Sequence, residues 1–374
     1  MELAEYHSLT TLPTPAGPLW IKRGAPGLED PAYRALADAV EPRGTRAIDL
    51  NPGVGVALLP LLAAGLEVHA WEDRRSALRA LEASAAEHPG LRVRAALPWQ
   101  VPQAAYGTAL LVFGADRGNA WVRAQIRAAA RALEPGGLLW VAGDKKLGFE
   151  RYLGWAREIV GEGEVVLRAK GARVAVLERS SGPAPEAPEG PEPLEVELRG
   201  RRLTFWIWPG VFSADAVDPA SRLLLEHLPA DVEGARVLDL GAGYGALSLP
   251  LAREGAQVTL LEHQLASVES ARVSFARAGL DALILHSDVD ERLSEAENYD
   301  IVISNPPFHV GGRVVLDVAE AFVAAAHRRT RPGGRFYLVA NPFLKYEDWM
   351  RDLFGNVQTL HAGRYKVLLS VKKA

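Results

Sequence analysis

Val237-Leu-Asp-Leu-Gly-Ala-Gly-Tyr-Gly-Ala246 decides the fold of this chain, and the runs Val258-Thr-Leu-Leu-Glu262 and Ile301-Val-Ile-Ser-Asn-Pro-Pro-Phe308 are placed relative to it. An apolar run ending in Asp239 reads as a buried parallel strand. Gly241, Gly243 and Gly245 then let the backbone turn sharply and approach a ligand that a Cβ would block. Such a turn opens a helix, whose first N–H groups lack intrahelical partners and attract polar ligand atoms. Glu262 ends the next apolar strand, where an acid accepts hydrogen bonds from a ribose diol. The constellation predicts a nucleoside-binding site.

Gly241, Gly243 and Ala246 also satisfy the dinucleotide fingerprint, so this stretch alone leaves NAD open. Asp239, immediately before the turn, is placed to hold the loop or to receive an ammonium group. Asn305-Pro306-Pro307-Phe308 closes a later strand. Asp-x-Gly-x-Gly-x-Gly with Asn-Pro-Pro-Phe resembles the class I methyltransferases that act on exocyclic amino nitrogens. The resemblance implies S-adenosylmethionine as cofactor and S-adenosylhomocysteine as product.

With 374 residues the chain is long enough for two ordinary domains. Its 48% hydrophobic and 24% charged composition is that of a globular protein. No apolar run is long enough to cross a bilayer and the start lacks a basic signal region, so a cytoplasmic protein is expected. There are no cysteines, and the histidines show no metal-ligand spacing, so metal chemistry is not expected. A net charge of -4 argues against coating nucleic acid by bulk electrostatics, though a local basic groove remains compatible with it.

The glycine-turn pattern occurs twice. Ala47-Ile-Asp-Leu-Asn-Pro-Gly-Val-Gly55 aligns with Val237 to Gly245, and Glu72 follows Asp49 at the spacing by which Glu262 follows Asp239. Asp30-Pro-Ala upstream matches Asp218-Pro-Ala, and Glu134-Pro-Gly-Gly downstream matches Arg331-Pro-Gly-Gly. Each half alternates strands with helices, which predicts two tandem Rossmann-like α/β domains with mostly parallel, doubly wound sheets. Leu110 to Phe113 and Leu138 to Ala142 read as buried strands, Arg123 to Leu133 and Ala319 to Thr330 as covering helices stopped by Pro-Gly-Gly. Residues 181–193, rich in proline and glutamate, read as a tether between a degenerate domain at 1–180 and a catalytic domain at 194–374.

The halves differ at the chemistry. Asn51 and Pro52 replace Gly241 and Ala242, and Ala115-Asp-Arg-Gly118 replaces the Asn-Pro-Pro-Phe block. One cofactor site per chain is therefore expected, in the second half, with Glu72 and Gly53 left to strand-end and turn geometry. Arg74, Arg75, Arg79, Arg92 and Arg94 read as an exposed basic edge of the first half, giving it either an RNA-docking role or a stabilising one.

In the second half, an aryl amine is a poor nucleophile whose hydrogens need acceptors if the nitrogen is to be oriented. Asn305 Oδ1 and the Pro306 carbonyl are the expected acceptors, with Phe308 as a stacking face for the base. Asp288 is placed to receive an adenine amino group, with His263 beside Glu262 on the cofactor side. Pro307 and His309 border the base pocket. A base paired in a helix cannot reach such a pocket, so extrusion of the target from its stack is expected.

Trp208-Pro-Gly-Val-Phe-Ser213, Asn-Pro-Pro-Phe-His309, the terminal Gly363-Arg-Tyr-Lys366 and the duplication together resemble the ribosomal RNA small subunit methyltransferase C (RsmC) family over nearly the whole chain. The resemblance implies methylation of guanine N2 in 16S rRNA, an inactive N-terminal methyltransferase-like half, and Phe212 and Ser213 near cofactor and base. The expected partner is 16S rRNA or the small subunit, with no membrane, and a monomer. A guanine-N2 methyltransferase of large-subunit RNA and a non-catalytic RNA-binding assembly factor stand as alternatives.

Overall fold

The computed structural model describes residues 3–188, 190–307 and 316–373. The chain forms two compact units, Ser8–Glu189 and a second made of Gly190–Ala374 together with the N-terminal segment through His7.

The first unit opens with a hairpin, β1 (Leu9–Leu12) and β2 (Leu19–Lys22), followed by a seven-stranded sheet: β3 (Arg46–Asp49), β4 (Glu67–Glu72), β5 (Leu91–Ala95), β6 (Tyr106–Val112), β7 (Leu133–Gly143), β8 (Gly163–Ala169) and β9 (Ala172–Glu178). The second repeats the plan with the hairpin β10 (Glu192–Leu198) and β11 (Arg201–Ile207), then β12 (Arg236–Leu240), β13 (Gln257–Glu262), β14 (Leu283–His286), β15 (Tyr299–Ser304), β16 (Thr330–Ala340), β17 (Gln358–Ala362) and β18 (Lys366–Val371). The sheet orders are β5-β4-β3-β6-β7-β9-β8 and β14-β13-β12-β15-β16-β18-β17. Strand for strand these are the same topology, parallel except where β9 and β18 run antiparallel to both neighbours. The reversal of strand order beside β12 puts the ligand crevice at the carboxyl ends of β12, β13 and β15.

Helices on both faces explain why β6 is buried at every position. Alternate side chains feed two cores: Ile48, Leu111 and Val141 on one face, Ala47, Leu110 and Trp140 on the other. The covering helices Gly118–Ala132 and Leu316–Arg329 run directly into β7 and β16. The Pro-Gly-Gly segments therefore lie inside the strand runs and not in stop turns, because Gly136 N–H and Gly333 N–H find carbonyls at Arg179 and Lys372 on the neighbouring strand's flank.

The hairpins were not legible in the sequence. Each lies along the helix that follows the second sheet strand: Trp20 N–H donates to Ser84 Oγ at 2.9 Å, Trp206 N–H to Ser274 Oγ at 2.8 Å, and Trp208 N–H to Ser270 Oγ at 3.0 Å. Small buried serines on a helix bring it close enough for this contact.

Residues 1–180 were expected to form the first domain, yet Leu3–His7 groups with the second unit. Tyr6 is buried there and donates to Asp288 Oδ1 at 3.0 Å, and His7 approaches Asp290 Oδ1 at 3.4 Å. Asp290 also pairs with Arg328 and Arg329, and these hydrogen bonds hold its carboxyl far below the usual range despite burial. A short segment gains its place from such contacts, which leave no composition signal.

Candidate functional site

Asp239 and Glu262 end adjacent strands, paired Asp239 to Leu260 along the β12–β13 ladder, so both carboxylates meet at the glycine turn. Glu262 accepts from Gly243 N–H and from Gln264 N–H, both at 2.8 Å. One side chain thus shapes both the turn and the loop after β13. Gly243 has φ 56°, and a Cβ there would meet nothing within 4 Å. Gly241 has φ 73° and faces Phe322 so closely that a Cβ would lie 2.9 Å from the ring. The turn is therefore glycine for backbone conformation at one position and for packing as well at the other.

Asp239 is fully buried. Ser248 Oγ donates to its Oδ2 at 2.6 Å, while Oδ1 has no partner among the described residues. Burial pushes the carboxyl up to about 7, against the Ser248 hydrogen bond and with a further push from the Glu262 charge. A buried acid with an unmatched oxygen beside an open turn suits a cationic ligand group. Together with the empty space beside Gly243, this donor set fits the amino-acid end and ribose of S-adenosylmethionine.

Asn305 follows β15, whose Ser304 Oγ donates to the Leu240 carbonyl at 2.8 Å and ties the two strand ends together. Asn305 Nδ2 donates to Asp218 Oδ2 at 2.7 Å and to Ser221 Oγ at 3.0 Å. These bonds consume both amide hydrogens, so Oδ1 is the atom left to accept from a ligand. Asp218 caps the helix Pro219–His227 by accepting from Ser221 N–H at 3.3 Å. In the sequence Asp218-Pro219 serves only to match the two halves, and the roles of Asp218 as a cap and in orienting Asn305 emerge from the structure. Tyr6 was missed for the same reason, since it reaches the site across the fold, whereas Ser248 stands only 9 positions after Asp239, at the start of the helix Ser248–Arg253 that follows the turn.

The remaining expected residues divide. Asp288 is buried, with Tyr6 on Oδ1. His263 lies beside Glu262, its carbonyl accepting from His286 Nε2 at 2.9 Å. Phe212 is 70% exposed, an unusual state for phenylalanine, and Ser213 adopts φ 54°, a left-handed conformation that favours glycine. Tyr244 of the glycine turn contacts the Ser213 carbonyl at 3.5 Å, so this loop borders the crevice. Pro306 and Pro307 follow Asn305 in the described chain, whereas Phe308 and His309 lie outside the described residues.

The corresponding corner of the first unit is filled by its own side chains. Glu72 accepts from Gly53 N–H at 3.2 Å and from Arg74, through Nε at 2.9 Å and Nη2 at 3.1 Å. The same guanidinium donates to Asn51 Oδ1, whose amide nitrogen bonds the Val112 carbonyl at 2.6 Å. Arg117, standing where Pro307 stands in the second half, pairs with Asp73 and lies 3.6 Å from the centre of the Trp121 ring. Gly53 is closed off by the Pro26 carbonyl, 2.6 Å from where a Cβ would sit. Hydrogen bonds that a nucleoside would make are made by Arg74 and Asn51 instead. The expectation that Arg74, Arg75 and Arg79 form an exposed basic edge is corrected: Arg74 is spent on Glu72, Arg75 pairs with Glu82 at 3.3 Å, and the Arg79 Nη1 atom is buried. Only Arg92 and Arg94 of that set are exposed, and Arg94 sits 5.1 Å over Trp71. The 3.6-residue period turned the start of helix Arg75–Glu87 inward, which a list of arginines does not reveal.

No helix among the described residues is long and apolar enough to cross a membrane, and no group of three or more His, Asp or Glu among them is arranged to hold a metal.

Residues 202–369 match the methyltransferase small domain family. Ribosomal RNA small subunit methyltransferase C of Chromohalobacter salexigens is 36% identical over 186 residues, 49% of this chain and 55% of that protein. The protein of the same name from Sodalis glossinidius is 39% identical over 166 residues, 44% of this chain and 47% of that protein. The chain thus spans about half the length of the curated relatives it matches. The solved structure of T. thermophilus 16S rRNA N2 G1207 methyltransferase (RsmC), in complex with AdoMet and guanosine, is 50% identical with a TM-score of 0.94, covering 100% of both chains.

Proposed function

The chain belongs to the RsmC family of ribosomal RNA small subunit methyltransferases, and from that membership we propose that it transfers a methyl group from S-adenosylmethionine to the exocyclic N2 of a guanine in 16S rRNA. The observation that carries this reading is the clamped amide of Asn305. With both hydrogens of Nδ2 donated to Asp218 and Ser221, Oδ1 presents a fixed acceptor to an amino group.

When bound, S-adenosylmethionine supplies a methyl group already activated by its sulfonium, with a neutral thioether as leaving group. The protein's task is therefore positioning. Asp239 Oδ1 takes the ammonium group, Glu262 the ribose hydroxyls with His263 alongside, and Asp288 the adenine amino group, while Gly241, Gly243 and Gly245 let the backbone come close. Asn305 Oδ1 and the Pro306 carbonyl accept the two N2 hydrogens, which holds the nitrogen lone pair toward the methyl donor. Phe308 stacks on the guanine, and Pro307, His309, Phe212 and Ser213 border it. Transfer leaves N2 as a cation far more acidic than the starting amine, which gives up one proton to water to become the neutral methylated amine, so a dedicated base in the resting site is unnecessary. The first unit, with its own crevice filled, stabilises the enzyme and leaves one cofactor site per chain.

The test is to incubate the protein with labelled S-adenosylmethionine and either small subunits or naked 16S rRNA, then map the label. One guanine N2 is expected to be modified, and Asn305→Ala to abolish it while cofactor still binds. Label confined to large-subunit RNA, or none with cofactor bound, would replace this reading.

A further inference from the structure

The segment Gly363-Arg-Tyr-Lys366 has no part in the cofactor site, yet the fold sets it beside the crevice. β15 pairs with β16, Ser304 opposite Leu338, and Ala340 at the end of β16 pairs with Lys366 of β18. The end of β16 is thus flanked by Asn305 on one side and the β17–β18 turn on the other. Beyond β16 comes Asn341-Pro-Phe-Leu-Lys345, in which Leu344 is buried while Phe343 is 62% exposed. Lys366 is itself buried and reaches across, its Nζ donating to the carbonyls of Pro342, at 3.5 Å, and Leu344, and to Glu347. A buried ammonium therefore pins the backbone on both sides of an exposed aromatic ring.

The surroundings are cationic. Lys345 and Arg364 are exposed, and among the described residues neither pairs with a carboxylate. The nearby acids are engaged, Glu347 by Lys366 and Asp348 by Arg351 at 3.3 Å. Arg364 lies 5.5 Å from the centre of the half-buried Tyr365 ring. Four residues of backbone and one strand spacing separate Phe343 from Asn305, so their Cα atoms are no more than roughly 19 Å apart.

We infer that Phe343, Lys345 and Arg364 form a docking shelf for the RNA strand next to the target nucleotide. Phe343 offers a stacking face to an unpaired neighbouring base, and Lys345 and Arg364 contact the flanking phosphates. The occupant is RNA because an exposed aromatic on the same surface as cations that pair with no carboxylate among the described residues matches a base flanked by phosphates, whereas an apolar protein contact would leave those cations unmatched. A rigid backbone under Phe343 keeps the ring presented without ordering it anew at each encounter. The inference rests on the assignment of an RNA substrate to this site.

The test compares Phe343→Ala and the double variant Lys345→Ala/Arg364→Ala with the parent protein. S-adenosylmethionine binding and methylation of an isolated guanosine probe are expected to stay unchanged, since neither needs the shelf. For a 16S rRNA fragment carrying the target, Phe343→Ala is expected to weaken binding by about five- to a hundredfold, the range for one lost base stack. The double variant is expected to lower the slope of log affinity against log salt by roughly 0.7 per lost phosphate contact. Full RNA affinity and salt slope in both variants would overturn the shelf. So would variants that bind naked RNA normally but fail only on assembled subunits, which would make the surface a contact for a ribosomal protein. If the parent protein itself showed no RNA binding, the assigned substrate would fall, and not the shelf alone.

Discussion

Asp239 makes cofactor affinity depend on pH in a direction opposite to its effect on the empty protein. Burial raises its carboxyl to about 7, so near neutrality the resting site is about half protonated. An ammonium group placed at Oδ1 favours the ionised form, and binding must therefore release a proton below that pKa. Affinity for S-adenosylhomocysteine should fall by about five- to sixfold from pH 7 to 6 and by about a further tenfold from pH 6 to 5, as the ionised fraction of a group with this pKa falls. Above about pH 8 the ligand's own amine loses its proton, so affinity peaks between the two limits. Asp239→Asn should remove the acid limb and cost about 1.5 to 3 kcal/mol at the peak, the range for a hydrogen bond to a charged group. The assay is isothermal titration from pH 5 to 8.5, with methylthioadenosine as a ligand that lacks the ammonium. An acid limb of equal steepness for methylthioadenosine, or one that survives in Asp239→Asn, would refute the assignment. For the empty protein the sign reverses. The folded state holds a proton that the unfolded chain, with its carboxyl near 3.8, has released, so this group's contribution to stability declines as pH rises from about 4 to 7.

Asp218→Ala and Ser221→Ala free the Asn305 amide to rotate; kcat should drop about ten- to a hundredfold with cofactor affinity intact, and an unchanged kcat in steady-state assays would remove the clamp from the mechanism. Glu262→Ala should weaken S-adenosylmethionine binding by about 1.5 to 3 kcal/mol or more, because the Gly243 and Gln264 N–H groups lose their acceptor as well, and titration of a folded variant with full affinity would contradict this. Tyr6→Phe should weaken S-adenosylhomocysteine by about 0.5 to 1.5 kcal/mol while leaving an analogue without the adenine amino group unaffected; equal losses for both would make Tyr6 a packing residue only. Arg74→Ala leaves Glu72 buried without its cation, so the first unit should melt at a lower temperature, with a cost of about 3 to 5 kcal/mol, and titration should still find one cofactor site.

The two-fold repetition, the strand and glycine-turn geometry and the corner at Asn305 were all legible in the sequence, because period, glycine and proline act over a few neighbouring residues. Asp239, Glu262 and Asn305 end strands whose apolar runs predict parallel pairing, and parallel pairing brings strand ends together whatever the details of packing. The tertiary structure alone decided which partners complete those groups. Ser248 on Asp239, Asp218 and Ser221 on Asn305, and Tyr6 on Asp288 are joined by hydrogen bonds between residues from 9 to 282 positions apart. Arg74 shows the limit most clearly. As a letter it is a cation in a polar stretch, indistinguishable from Arg92. Only the fold reveals that the start of its helix faces the first unit's filled turn, where desolvation makes a charge costly unless it is paired and Glu72 and Asn51 supply that pairing. Local conformational preference carried the scaffold, and burial, which depends on every element at once, carried the fate of each charge.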